Sequence, residues 1–165
     1  MKAYTNLNLS RYSLMTERKT KMTNYTRSAE REKTMQALYQ VFLFIENKEE
    51  FDATEVIDNE YGAKSIEEVP LFSKCVYTIA LDKFDEIKET LSSHLVNWTF
   101  DRLDNVAKAI LFEAMSEGKY AHLAPRKVVI SQAVTLAKNY LKEGDHRFIN
   151  AVLDKSIPEY EFTGK

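Results

Sequence analysis

The sequence predicts an all-α bundle of about seven helices, on three observations. Apolar residues recur at helical three-and-four spacing through most of the chain from Ser28 onward. Only four glycines and three prolines occur, too few for the turns of a many-stranded sandwich or barrel. No run alternates apolar and polar residues long enough to read as a strand. The 165 residues suffice for one domain, or for two small helical subdomains sharing a boundary.

Residues 1–25 are polar, rich in Thr, Asn, Ser and Tyr, and read as a mobile basic arm. Met15 and Met22 lie inside it and the organised sequence begins just after Met22, so a start later than Met1 is expected. The first helix is expected from about 28 to 46, with Met35, Leu38, Phe42 and Ile45 on one face and Val41 beside them. A short helix near 51–58 follows, ending before Tyr61-Gly62. Pro70 suits the opening of another helix, carrying Leu71, Cys75, Ile79 and Leu81 inward. Phe84, Ile87, Leu91 and Leu95 form the next stripe, up to Asn97-Trp98. Leu103, Val106, Ile110, Leu111 and Ala114 mark the helix after it, with Gly118 as its stop signal. Pro125 opens a helix with Val129, Ala133, Val134, Ala137, Tyr140 and Leu141 on its face, running to about 142. Past Gly144, Asp145 is expected to cap a last helix bearing Phe148, Ile149, Val152 and Leu153. Pro158 begins a tail, 158–165.

Charge is unevenly spread. Residues 1–33 hold eight basic groups against three acidic ones, a net of +5, while the rest holds 15 basic and 22 acidic, a net of −7. A basic end on an acidic body fits a chain that presents one end to polyanions, and equally a solvated tail. The single cysteine, Cys75, lies among apolar neighbours, reads as a packing residue and suits a reducing cytoplasm. No apolar stretch approaches the roughly 20 residues of a membrane span. The three histidines, His94, His122 and His146, belong to no metal-spacing motif. Neither GxxxxGK[ST], GxGxxG nor GxSxG occurs, so no cofactor, no metal and no catalysis are expected.

Four strings in order then resemble the NusB family. They are Arg31-Glu32-Lys33-Thr34-Met35-Gln36-Ala37-Leu38-Tyr39-Gln40; Trp98 with Asp101-Arg102-Leu103 ahead of Ala109-Ile110-Leu111; Ala133 to Lys138; and Asp145-His146-Arg147-Phe148-Ile149-Asn150-Ala151-Val152-Leu153-Asp154-Lys155. The resemblance covers about residues 27–156 and implies two small packed helical bundles, about 26–82 and 83–157. It also implies transcription antitermination: binding of single-stranded boxA RNA of ribosomal-RNA leader transcripts together with the ribosomal protein NusE, within the RNA polymerase antitermination complex. Some family members self-associate, so a homodimer is a further expectation.

On that resemblance Arg27, Arg31 and Lys33 are expected to meet phosphates, the two arginines lying one helical turn apart. His146, Arg147 and Phe148 open the last helix and join the same RNA-binding set, Phe148 reading equally as core or as a base-stacking ring. Tyr39, Asp104 and Lys108 are the candidates for partner contact, the last two as an i,i+4 pair that also reads as merely solvated. Trp98 is expected to pack between the bundles, and Asn150 to be a buried amide. The chain departs from the family pattern at Ser28, Ala29, Phe112, Ser116-Glu117-Gly118, Ser131-Gln132 and Ala151. The thinned arginine cluster leaves a competing expectation: a helical adaptor that keeps the fold and partner binding without RNA affinity.

Overall fold

The computed structural model describes residues 24–164. The basic arm and the position of the true start therefore lie almost wholly outside the described residues. Among the described residues there are seven α-helices: α1 (Arg27–Asn47), α2 (Ala53–Tyr61), α3 (Leu71–Asp82), α4 (Phe84–Ser93), α5 (Asn105–Met115), α6 (Arg126–Tyr140) and α7 (Asp145–Ser156). Two single-turn 3₁₀ segments and one π-helical turn complete them, with no strand among the described residues.

Helix α1 starts where Thr26 accepts the Ala29 amide through its hydroxyl, and it stops at Lys48 in a left-handed conformation. Its inward residues, Met35, Leu38, Val41 and Phe42, are those of the expected stripe, while Ile45 is half-buried. Helix α2 is capped by Asp52 and closed by Gly62 at φ 60°, a conformation that costs glycine little. On α3 the buried face is Phe72, Val76, Tyr77, Ala80 and Leu81, so Leu71, Cys75 and Ile79 lie at its margin. Ser73, Lys74 and Thr78 are buried on the same helix, so its apolar positions alone do not mark the inward side.

Helix α5 is the centre of the fold. It packs on α1 along its length, on α6 and α7 from another side, and is buried from Ala107 to Met115. Phe112 is fully enclosed and meets Phe42 at 5.0 Å, Phe84 at 4.8 Å and Phe100 at 5.6 Å between ring centroids. The aromatic knot ties α1, α4 and α5 to the α4–α5 connection, each ring pair contributing about 0.5–1.5 kcal/mol beyond its buried area.

Gly118 does not stop α5. The chain runs on through the π turn Ser116–Ala121 and reverses at His122, which takes φ 49°. Gly118 is needed for space: a Cβ there would lie 2.9 Å from Ile157 Cδ1 and 3.2 Å from Val129 Cγ1. Gly144, at φ 91°, stands at the cap position of α7, and Asp145 is the first helical residue. Arg126 fastens the far end of α7, donating to the carbonyls of Asp154 and Ile157 and pairing with Glu159. The segment after Pro158 is docked rather than frayed near its start: Tyr160 donates to the Ala124 carbonyl and stacks on His122 at 4.1 Å.

Two other expectations are overturned. Trp98 is 58% exposed, because Asn97 takes a left-handed φ of 65° and turns it outward while Phe100, 4% exposed, fills the interior instead. Asn150 is exposed, since Ile149, Val152, Leu153 and Ser156 set the buried register of α7 and leave 150 and 151 facing out.

Candidate nucleic-acid interface

The amino end of α1 holds the basic residues expected to meet RNA, and the structure treats each differently. Arg27 is exposed, with its guanidinium 4.2 Å above the Phe72 ring and Nε 3.5 Å from the Glu30 carboxylate. It remains open to a phosphate on its outer side. Lys33 is half-buried and spans to α2, donating to the Glu60 carbonyl at 3.1 Å and pairing with its carboxylate at 3.8 Å.

Arg31 turns inward and is 5% exposed. Its Nε and Nη2 donate to the two oxygens of Glu117 at 2.9 and 2.7 Å, a bidentate fork inside the protein. One turn before Glu117, the Glu113 carboxyl is also buried, with Oε1 lacking any partner among the described residues. Desolvation pulls the Arg31 pKa down, but the Glu117 hydrogen bond and charge, with Glu113 and Glu30 behind them, outweigh it and leave it raised. Burial and the adjacent Glu117 charge push Glu113 well above the usual carboxylate range, against the pull of Arg31. The expected phosphate contact at Arg31 is thus replaced by a structural role. The i,i+4 spacing of Arg27 and Arg31 does not place them on one exposed face, because α1 packs on α3 and α5 and Arg31 reaches Glu117 of the π turn inside the protein.

The other candidate cluster lies at the start of α7. Arg147 is exposed, His146 is half-buried, and Phe148 is half-buried with its ring packed on the core. Helices α1 and α6 run side by side between the clusters, joined by Ser28 to Gln132 at 3.1 Å and by Tyr140, which donates to Glu32 and accepts from Gln36. From Gln132 to Tyr140 the helix rises about 12 Å, so Arg27 and Arg147 mark two ends of one polar face rather than one compact pocket.

Of the partner candidates, Tyr39 is half-buried against the core. Asp104 and Lys108 do not form the expected ion pair. Asp104 caps α5 by accepting the Val106 amide at 2.8 Å. Lys108, 8% exposed, donates to the Asp101 carbonyl and lies over the Phe42 and Phe100 rings at 5.9 and 5.6 Å. Burial lowers its pKa.

Sequence reasoning passed over Tyr25. It sits one residue before the α1 cap, 40% exposed, with its ring edge-on to Tyr61 at 5.2 Å and the Lys33 ammonium 5.7 Å from its centroid. An aromatic residue immediately before a Thr cap and a basic turn was the available signal. The buried carboxylates had one too: Glu113 and Glu117 interrupt an otherwise apolar helix at i,i+4 spacing.

The chain and its fold have known relatives. The family model described as the NusB family matches residues 28–158. The chain belongs to the NusB family. It is 35% identical over 138 residues to the transcription antitermination protein NusB of Bacillus subtilis, covering 82% of this chain and 97% of that protein. The NusB of Haemophilus influenzae is 31% identical over 144 residues, covering 87% and 96%. Among solved structures, T. maritima NusB superimposes with a TM-score of 0.69 at 20% identity, over 82% of this chain and 96% of that one. A chain from the crystal structure of the antitermination factors NusB and NusE in complex with dsRNA gives 0.65 at 23% identity, over 78% and 92%. These NusB structures share the all-α fold. No helix among the described residues is long and apolar enough to cross a membrane.

Proposed function

We propose that the chain is a transcription antitermination factor. It binds boxA-type single-stranded RNA of ribosomal-RNA leaders together with the ribosomal protein NusE, as part of the RNA polymerase antitermination complex, and catalyses no reaction. The observation that carries the reading is the match to the NusB family over residues 28–158, which takes in all seven described helices but for Arg27 at the start of α1. The RNA path runs from Arg27 across the α1–α6 face towards His146 and Arg147, the exposed arginines meeting phosphates and an aromatic ring meeting bases. Lys33 contributes through its charge beside Tyr25 and Tyr61. Tyr39 is assigned to the partner side, and Phe148 to a stacking role through whatever part of its ring the core leaves uncovered. The protein works in the cytoplasm.

The test is binding of the purified protein to a short boxA-like single strand, to a scrambled strand and to the duplexed form, with and without the ribosomal protein. Selective binding of the boxA strand that tightens with the partner supports the reading. Equal affinity for all three RNAs overturns it.

One observation favours a second reading. Every cation of the α1 entrance is shared with a carboxylate: Arg27 with Glu30, Arg31 with Glu117 and Lys33 with Glu60. An adaptor that binds the ribosomal protein but not RNA fits that neutralised surface. Partner binding without measurable RNA affinity is the result that selects it.

A further inference from the structure

We infer that Tyr25 is a base-stacking residue of the interface, taking one unpaired base of a single-stranded nucleic acid on its open face between Arg27 and Lys33. The inference rests on the RNA-binding reading above and adds a residue that reading lacks.

Charge alone is a poor source of affinity at this end of α1. The Arg27 guanidinium lies 3.5 Å from the Glu30 carboxylate, and the Lys33 ammonium lies 3.8 Å from that of Glu60. Each phosphate attracted by one of these cations also meets the neighbouring carboxylate. Stacking is indifferent to that balance, because a base presents its π-face whatever the net charge beneath it. The ring that serves must be exposed, held in one orientation and flanked by cations for the adjoining phosphates.

Tyr25 meets all three requirements. It is 40% exposed, and the edge-to-face contact with Tyr61, at 5.2 Å and 84°, fixes the plane of its ring before any ligand arrives. Tyr61 is itself anchored, its hydroxyl hydrogen-bonded to Ser73 on α3. Lys33 stands 5.7 Å from the Tyr25 centroid, and Arg27 follows two residues on. The other rings nearby are committed elsewhere. Phe72 is buried beneath Arg27, and Tyr61 is half-buried with its hydroxyl turned to Ser73. Phe148, the aromatic residue singled out from the sequence, is packed on the core at the other end of the α1–α6 face.

The experiment measures affinity for a labelled boxA-like single strand by fluorescence anisotropy, in the presence of the ribosomal protein, for wild type, Tyr25→Phe and Tyr25→Leu. Abasic sites are then placed one at a time along the strand. Tyr25→Phe keeps the ring and is expected to bind within about twofold of wild type. Tyr25→Leu keeps an apolar side chain against Tyr61 but has no π-face, and its affinity is expected to fall about tenfold. At one position the abasic strand should bind wild type and Tyr25→Leu equally, because the stacked base is missing from both. Loss of affinity in Tyr25→Leu that persists unchanged at every abasic position overturns the inference, as does equal affinity of Tyr25→Leu and wild type for the intact strand. Weakened binding of the ribosomal protein alone by Tyr25→Leu also overturns it, in favour of a protein contact. A wild-type protein that binds no RNA refutes the RNA-binding reading itself and the stacking role with it.

Discussion

Replacing Arg31 with Ala tests whether its guanidinium belongs to the interior or to the RNA. The side chain is 5% exposed and closes a bidentate fork on Glu117, which is fully buried. Its removal leaves the Glu117 carboxylate without a counter-charge and Glu113 without the one cation that opposes its desolvation. Breaking a buried pair by deleting one partner costs about 3–5 kcal/mol. Total stabilities run about 5–15 kcal/mol, so the loss is a large share of what holds the fold. In urea denaturation followed by helical circular dichroism, with a slope of about 2 kcal/mol/M, the midpoint should fall by roughly 2 M. Arg31→Met combined with Glu117→Leu should be far milder, because both charges leave together and the neighbouring Glu113 carboxyl, raised by burial and by Glu117, also loses the Glu117 charge beside it. If Arg31→Ala alone shifts the midpoint by less than about 0.5 M, the guanidinium is hydrated in solution and the internal assignment is wrong.

Three further outcomes follow from the same geometry. Arg27→Ala should leave the urea midpoint nearly unchanged, while weakening RNA binding and reducing the salt dependence by up to about 0.7 units of slope for one single-strand phosphate contact; an unaltered slope removes Arg27 from the path. Glu113→Gln should change the pH dependence of stability. The folded carboxyl titrates well above its ordinary 4.5, so the unfolded chain ionises first and wild type loses stability as pH rises from there through the folded value. The variant lacks that loss, so its stability relative to wild type should improve from pH 5 to pH 8, by at most about 1.4 kcal/mol per unit, and a flat difference across that range refutes a protonated Glu113. Phe112→Ala should cost about 3–5 kcal/mol in thermal or urea unfolding, because three neighbouring rings lose their shared partner.

The helices were legible in the sequence because their signals are local. Pro70, Pro125 and Gly144 each stand at the residue before a helix, and the stripes of α1, α4 and α7 need only a 3.6-residue period. The errors fall where periodicity says nothing. Helix α5 is buried from Ala107 to Met115 with Lys108 and Glu113 included, so its apolar stripe alone could not reveal that it is central, and Gly118 read as a stop because no local rule encodes the approach of Ile157. Trp98 and Phe100 are two residues apart and similar in hydrophobicity. Which of them turns inward depends on the left-handed turn at Asn97, which the composition of the loop does not announce.

The candidate site was legible only as a location. Counting positive charges pointed to the amino end of α1, but a count carries no information on which charges are already paired. Arg27 and Arg31 differ by one helical turn in sequence and by everything that matters for binding: one faces solvent over Phe72, the other is locked on Glu117 from a segment 86 residues away. That long-range partner converts a phosphate ligand into a strut holding α1 to the π turn. On the RNA-binding reading, an α1 entrance whose Arg27, Arg31 and Lys33 each stand beside a carboxylate draws less of its affinity from charge, and it should show a shallower salt dependence than those three cations suggest. In NusB relatives with more arginine in this helix, added cations should strengthen RNA binding only where no carboxylate stands opposite them inside the fold.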